Sequence, residues 1–288
     1  MSASPDPSRP LADLYLRIGL GWDKNPALRE ALSAISRAWA PPAHHVSPIL
    51  ESLNAMMSHL RRELVGQLDV ARLFARSLPP NLRALGSDLA IVAAIEMGRD
   101  EGISLYGVPR AAVARRFLRA RDAPARRRVL GEAAPLILGD CGAALDGVTA
   151  RGLEFPVVML RDAIGAARAG HLIAAQAAAT AALDGATRYF LDDKKIREAV
   201  TRTGREENRN QSVLDGFRVR EALALMPVYG SHVNYRHWED PVPWAYSRHA
   251  TTHSAAGRQF SKRNAVQAVL VATGFLLWVD DMSKGHVG

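Results

Sequence analysis

A single cysteine, Cys141, in 288 residues excludes an intrachain disulfide framework and any zinc site built on several thiolates. A reducing, cytoplasmic setting is expected, with Cys141 as a small core residue. Aromatic residues are only 6% of the chain, and no long alternation of apolar and polar residues occurs, so an extensive sheet is not expected. Lysine is scarce: of 37 cationic side chains only five are lysines, at 24, 194, 195, 262 and 284. The opening residues have no basic segment leading into an apolar core, so no secretory signal is expected. The first ten, with three prolines, are expected to fray. The longest apolar run, 265–279, would reach only about 22 Å as a helix. That is short of a hydrocarbon core of about 30 Å, so a buried helix, and no membrane partner, is expected.

What the chain has instead is alanine, leucine and arginine, all strong helix formers, with 48% apolar residues. An all-α fold follows: a helical N-terminal region over 1–150 and a helical bundle over 151–288. Asn25 before Pro26 and Ser47 before Pro48 are helix starts, predicting helices over 26–38 and from 49 past 60. Another ends near Arg76, before Pro79-Pro80. His44 and His45 fall in a proline-rich linker. Residues 87–98 read as a buried helix capped by Ser87, and 101–109 as the one extended piece. A helix over 132–145 precedes the glycine-bearing stretch 147–156, the best candidate for a domain boundary. Residues 156–168 and 171–191 predict a helical hairpin turning at Gly170. Further helices are expected over 193–203 and 213–227, the latter ending near Pro227 and Gly230. Ser261 is the expected cap of the last helix, with Phe260 placed as its hydrophobic staple.

The net charge of +8 is concentrated. Residues 110–128 hold eight arginines against one aspartate. Val113, Phe117 and Leu118 supply a buried stripe, with Arg115, Arg116 and Arg119 partly on the other face. Asp122 caps a second helix expected to carry Arg126, Arg127 and Arg128 outward. Arginine makes bidentate contacts to phosphate, so Arg115, Arg116, Arg119, Arg126 and Arg127 are candidates for a nucleic-acid partner. A solvated helix face explains the same run. Lys262 and Arg263, in the first turn of the last helix, oppose its dipole, and a bound phosphate would relieve that conflict. The two thus join the nucleic-acid candidates; the plainer reading has both in water.

The densest chemistry lies at Arg248, His249 and His253, with Thr251 and Thr252 placed to bond the local backbone. His249 and His253 stand at i and i+4, on one helix face. Arg248 lies about 140° from His253 on an ideal helix. A site using both is easier to build at a helix start or from two copies. Imidazole exchanges protons near neutral pH, and guanidinium stabilises phosphate charge without acting as a base. The set suits cleavage of RNA without a metal, the adjacent 2′-hydroxyl being the nucleophile.

Arg248, a polar residue, three more residues and then His253 resembles the catalytic motif of the HEPN superfamily. His249 fills the position that family gives to Asn, Asp or His. The helical hairpin, further helices and motif near the last helix, over about 156–288, are also similar to that all-α fold. The resemblance implies a homodimer whose two motifs face each other, metal-independent ribonuclease activity, and a role in phage defence or a toxin–antitoxin pair, with a protein antitoxin as a possible partner. Arg248 and His253 would be the catalytic pair and His249 their support; no cofactor and no metal are implied. One departure is Gly257, which parts the motif from the long helix that it opens in the family.

Two other readings stand beside this one. His249 and His253, with His232, His237, Glu239 and Asp240 nearby, have the makings of a metal site but lack a third ligand at a recognised spacing. Alternatively, Arg248 pairs with Glu239 or Asp240, and the protein is an inactive helical dimer that binds RNA or protein. Asp280 and Asp281, where negative charge is unfavourable at a helix end, are expected to pair with arginines.

Overall fold

The computed structural model describes residues 78–85, 88–203, 213–214, 217–233, 235, 240–254 and 256–285. The helices expected before residue 77, the Ser87 cap, His44, His45, His237 and Glu239 lie outside these residues. Among the described residues the structure is all-α, without a strand. Ser77–Leu214 with Arg220–Gly288 forms one compact unit, and Met1–Arg76 with Asp215–Val219 a second. The candidate site lies in the first.

The helices are α1 (Pro80–Arg83), α2 (Asp88–Glu101), α3 (Ala111–Arg119), α4 (Ala123–Glu132), α5 (Ala134–Leu145), α6 (Glu154–Arg168), α7 (Leu172–Phe190), α8 (Lys194–Thr201), α9 (Val219–Ser231), α10 (Arg248–His253) and α11 (Lys262–Ser283). Local signals account for several of them. Asp122 accepts from Ala125 N at 2.8 Å and starts α4. Asp193 does the same for α8, from Lys195 N and Ile196 N. Gly170, at φ +84°, makes the turn of the α6–α7 hairpin.

The centre is α11. Residues 264–276 are all buried, so this helix has no face left for water. It packs against α4, α5, α6 and α7. The stretch 147–156, the best candidate for a domain boundary from sequence, lies inside this unit, and α5 before it and α7 after it both rest on α11. At 22 residues α11 is about 33 Å long. It is thus longer than its apolar run, because polar residues at both ends continue it. By length and composition it passes for a membrane span, but 83% of its apolar window is buried against the protein.

Several polar groups that this helix buries near its ends are answered. Gln267 Nε2 donates to the carbonyls of Glu101 and Gly102 at 2.7 and 3.0 Å. The Asp280 carboxylate accepts from Thr149 N and Ala150 N, both at 2.8 Å, and from Lys284 Nζ. Burial alone would raise its pKa, but Lys284 and the two N–H groups hold it below the usual range. Asp281 pairs with Arg220, as expected of an arginine partner, and also accepts from the Tyr106 hydroxyl at 2.7 Å. Asp280 departs from that expectation, since a lysine one turn on is within reach.

Three other elements differ from their sequence reading. Residues 102–109 form no strand; the segment runs buried and irregular against α11, with Asn81 Nδ2 donating to the carbonyls of Leu105 and Pro109. Helix α9 starts at Val219 and continues through Pro227 to Ser231. The Pro227 ring packs directly on Gly98 of α2, where a Cβ would lie 2.9 Å from it. In α3, Ala114 is buried beside Val113 and Phe117, while Leu118 is half-buried.

The α2–α9 crossing is closer still at Gly230, where a Cβ would lie 2.2 Å from Gly98 O and 2.6 Å from Gly102 N. Both are backbone atoms. Gly230→Ala is expected to cost ~1–3 kcal/mol in urea unfolding. Gly165→Ala, on an exposed face of α6 with nothing within 4 Å, is expected to gain about 0.5–1 kcal/mol. Equal effects would contradict the packing account.

Candidate active site

The site is built on α7. In this alanine-rich helix, Gln176, Thr180, Asp184 and Arg188 recur every fourth residue and so share a stripe. The segment 246–259 docks on that stripe. Gln176 Nε2 donates to Thr251 Oγ1 at 2.8 Å and to Gln259 Oε1 at 3.3 Å. The Thr180 hydroxyl donates to Gln176 O, so it accepts from the buried Tyr246 hydroxyl, 3.0 Å away. Burial pushes the Tyr246 phenol up to about 12. Asp184 Oδ1 accepts from Arg248 at 2.9 Å (Nη2) and 3.1 Å (Nε), while Oδ2 pairs with Arg188 at 3.0 Å.

Helix α10 has six residues and is capped by Ser247, whose Oγ accepts from Ala250 N. Thr251 and Thr252 bond the local backbone, at the Ser247 and Arg248 carbonyls. Arg248 turns inward to Asp184, 15% of its side chain exposed. Among the described residues its partner is a carboxylate 64 positions earlier. His253, at the other end, is exposed. The two expected catalytic residues share this helix without touching: no hydrogen bond or ion pair joins them.

Between them lies His249, beside a histidine from α9's C-terminal end. The ring centroids of His232 and His249 are 6.2 Å apart, and those of His249 and His253 6.3 Å. His232 Nδ1 donates to Val228 O at 2.8 Å, which leaves its Nε2 unprotonated in the neutral ring. Neither His232 Nε2 nor His249 Nε2 has a hydrogen-bond partner among the described residues. Burial, then the like charges of Arg248 and His253, hold His249 below the ordinary imidazole range. Burial pushes His232 down to about 4. Both rings are thus neutral at pH 7. Among the described residues no group of three His, Cys, Asp or Glu side chains is arranged to hold a metal ion.

One buried amide connects the parts. Gln259 Nε2 donates to the carbonyls of Pro243 and Ala245, and Oε1 accepts from Ser247 N at 3.0 Å. The Gln259 carbonyl accepts from Asn264 Nδ2 at 2.7 Å, and Asn264 Oδ1 accepts from both Nη atoms of Arg127 at 3.1 Å. Asn264 N in turn donates to the Ser261 cap. Arg127 of α4 is so tied to the start of α11 and onward to α10.

Four of the eight arginines of the run are ion-paired. Arg116 pairs with Glu132 at 2.6 Å, Arg126 with Glu101, Arg110 with Asp140 and Arg121 with Asp122. Arg126 and Arg127 are half-buried rather than outward, because Glu101 and Asn264 draw them in; only Arg128 of the three is exposed. Arg115 donates to Ala84 O. Arg119, Lys262 and Arg263 are exposed without an ion pair among the described residues. Arg263 lies along α4, its Nε 3.3 Å from where a Cβ at Gly131 would be. Burial and then the charge of Arg263 lower the pKa of Arg127.

Asp184, Gln176, Gln259 and Asn264 hold the site together but were not singled out from the sequence. The four-residue spacing of polar side chains in an alanine helix was the signal for the first two. The chain matches no family model, no curated protein and no solved structure.

The buried histidine makes stability pH-dependent. Folded His232 titrates near 4 against 6.5 when unfolded, so the unfolded chain binds the extra proton first on acidification. Stability is expected to fall as pH drops from about 6.5 and to level off near 4, by ~3 kcal/mol for this group. His249 shifts in the same direction. Urea unfolding across this range checks it: His232→Gln is expected to flatten the fall, and an unchanged slope would contradict the assignment.

Proposed function

We propose that this protein is a metal-independent ribonuclease of HEPN type, working as a homodimer on cytoplasmic RNA in a defence or toxin–antitoxin setting. The observation that carries this reading is the division of labour along α10. Its first residue, Arg248, is an inward guanidinium fixed by Asp184, and its last, His253, is an exposed imidazole. The first suits stabilising charge on a phosphorane and the second suits moving protons. The 2′-oxygen attacks phosphorus and loses its proton to a base; the P–O5′ bond breaks and the 5′-oxygen takes a proton from an acid. The products are a 2′,3′-cyclic phosphate and a 5′-hydroxyl. In a dimer His253 occurs twice, which supplies one base and one acid. His249, neutral and adjacent, supports the pair.

A second reading has its own observation. Asp184 already occupies Arg248, and a guanidinium held by a carboxylate is less free for phosphate. On that reading the same surface binds RNA or a protein partner without cutting.

Purified protein incubated with RNA in EDTA separates the two. Cleavage by the wild type, reduced ~100-fold or more in His253→Ala, is expected. His253 is exposed, so the variant keeps its fold. Cleavage by neither protein leaves the binding reading in place, and equal cleavage by both removes His253 from the chemistry.

A further inference from the structure

Trp244 sits three residues before the Ser247 cap of α10 and is 68% exposed. A tryptophan so placed contributes little burial to the fold, although it is the largest apolar side chain available. The loop that carries it is anchored from the interior. The carbonyls on either side of it, Pro243 O at 3.1 Å and Ala245 O at 3.2 Å, are both drawn to the Nε2 of Gln259, which is fully buried. The same amide's oxygen accepts from Ser247 N. One interior side chain therefore fixes both the loop that carries Trp244 and the start of the helix that carries Arg248 and His253.

The Arg258 guanidinium lies over the indole, 4.1 Å from its centroid. Arg258 is exposed and makes no ion pair among the described residues. With the cation on one face, most of the residue remains open to solvent. An immobilised aromatic surface beside an uncompensated guanidinium has the two features that hold an unpaired nucleotide: a platform for the base and a charge for its phosphate. A cation–π pair serving the fold alone would not need its indole held out of the interior.

We propose that Trp244 is a stacking platform for an unpaired nucleobase of single-stranded RNA, with Arg258 contacting the neighbouring phosphate, and that Gln259 sets this platform in register with α10. The inference deepens the ribonuclease reading and rests on its RNA ligand. It adds a preference for single strands over duplex, since a paired base has no free face to offer.

The test uses the full chain and a short fluorescein-labelled RNA that is 2′-O-methylated, so that its own hydroxyl cannot cleave it. Fluorescence anisotropy is expected to show about tenfold weaker binding by Trp244→Ala. Trp244→Phe restores most of the affinity, and urea unfolding of both variants matches the wild type. Binding of the same sequence as a duplex is unchanged by either substitution. Single-strand affinity unaltered in Trp244→Ala, equal losses for both RNA forms, or no binding by the wild type would each overturn the proposal. A Trp244-dependent affinity in a protein that cuts no RNA sustains the platform while removing the nuclease. Cleavage with unaltered affinity in Trp244→Ala does the reverse.

Discussion

A helix with no polar face cannot exist without neighbours on every side, and α11 is such a helix. Burying it requires α4, α5, α6 and α7 to surround it, and Asn264, Gln267 and Asp280, the polar side chains it buries nearest its ends, find partners there. Those partners are what give the surrounding chain its shape. Gln267 fixes the irregular segment after α2, Asp280 fixes the turn before α6, and Asn264 fixes Gln259 and Arg127. A chain with few aromatics reaches a dense core through alanine and glycine contacts, seen where Gly274 lies against Ser104 and Gly230 against Gly98.

The candidate site is a consequence of this core. Helix α7 buries its alanines against α11 and turns a ladder of polar residues toward the segment before it. Arg248 is held not by its own helix, which is too short to be stable alone, but by a carboxylate on the ladder. The two ends of α10 therefore experience different surroundings: one is half-dry and ion-paired, the other is wet. Neutral His249 lies between them with neutral His232 beside it, so neither ring adds positive charge near Arg248 at neutral pH.

How far the sequence reveals this depends on the range of the interaction. The caps Asp122 and Ser261 act within one turn, and the Gly170 turn is equally local, so those elements lie where their residues predict. Pro227 reads as a stop because its effect is local, yet the helix continues to Ser231, with the ring packed on Gly98, far away in sequence. Arg126 reads as solvated because Glu101 is not its neighbour in the chain. The pairing of Arg248 with Asp184 is just as remote in sequence. The docking stripe of α7 was visible as a four-residue period among alanines, but a period shows which residues share a face, not what that face meets. Gln259 offered no signal at all, since an isolated glutamine in a loop is unremarkable until both flanks of Trp244 are found bonded to it.

The account turns on a guanidinium and an imidazole at the two ends of one short helix acting on RNA through its own 2′-hydroxyl. The most direct measurement is the chemistry of the ends left on RNA after treatment in the presence of a chelator. Fragments ending in 2′,3′-cyclic phosphate, each followed by a fragment beginning with a 5′-hydroxyl, are the result predicted. Fragments with 3′-hydroxyl and 5′-phosphate ends, or RNA left intact, would contradict it.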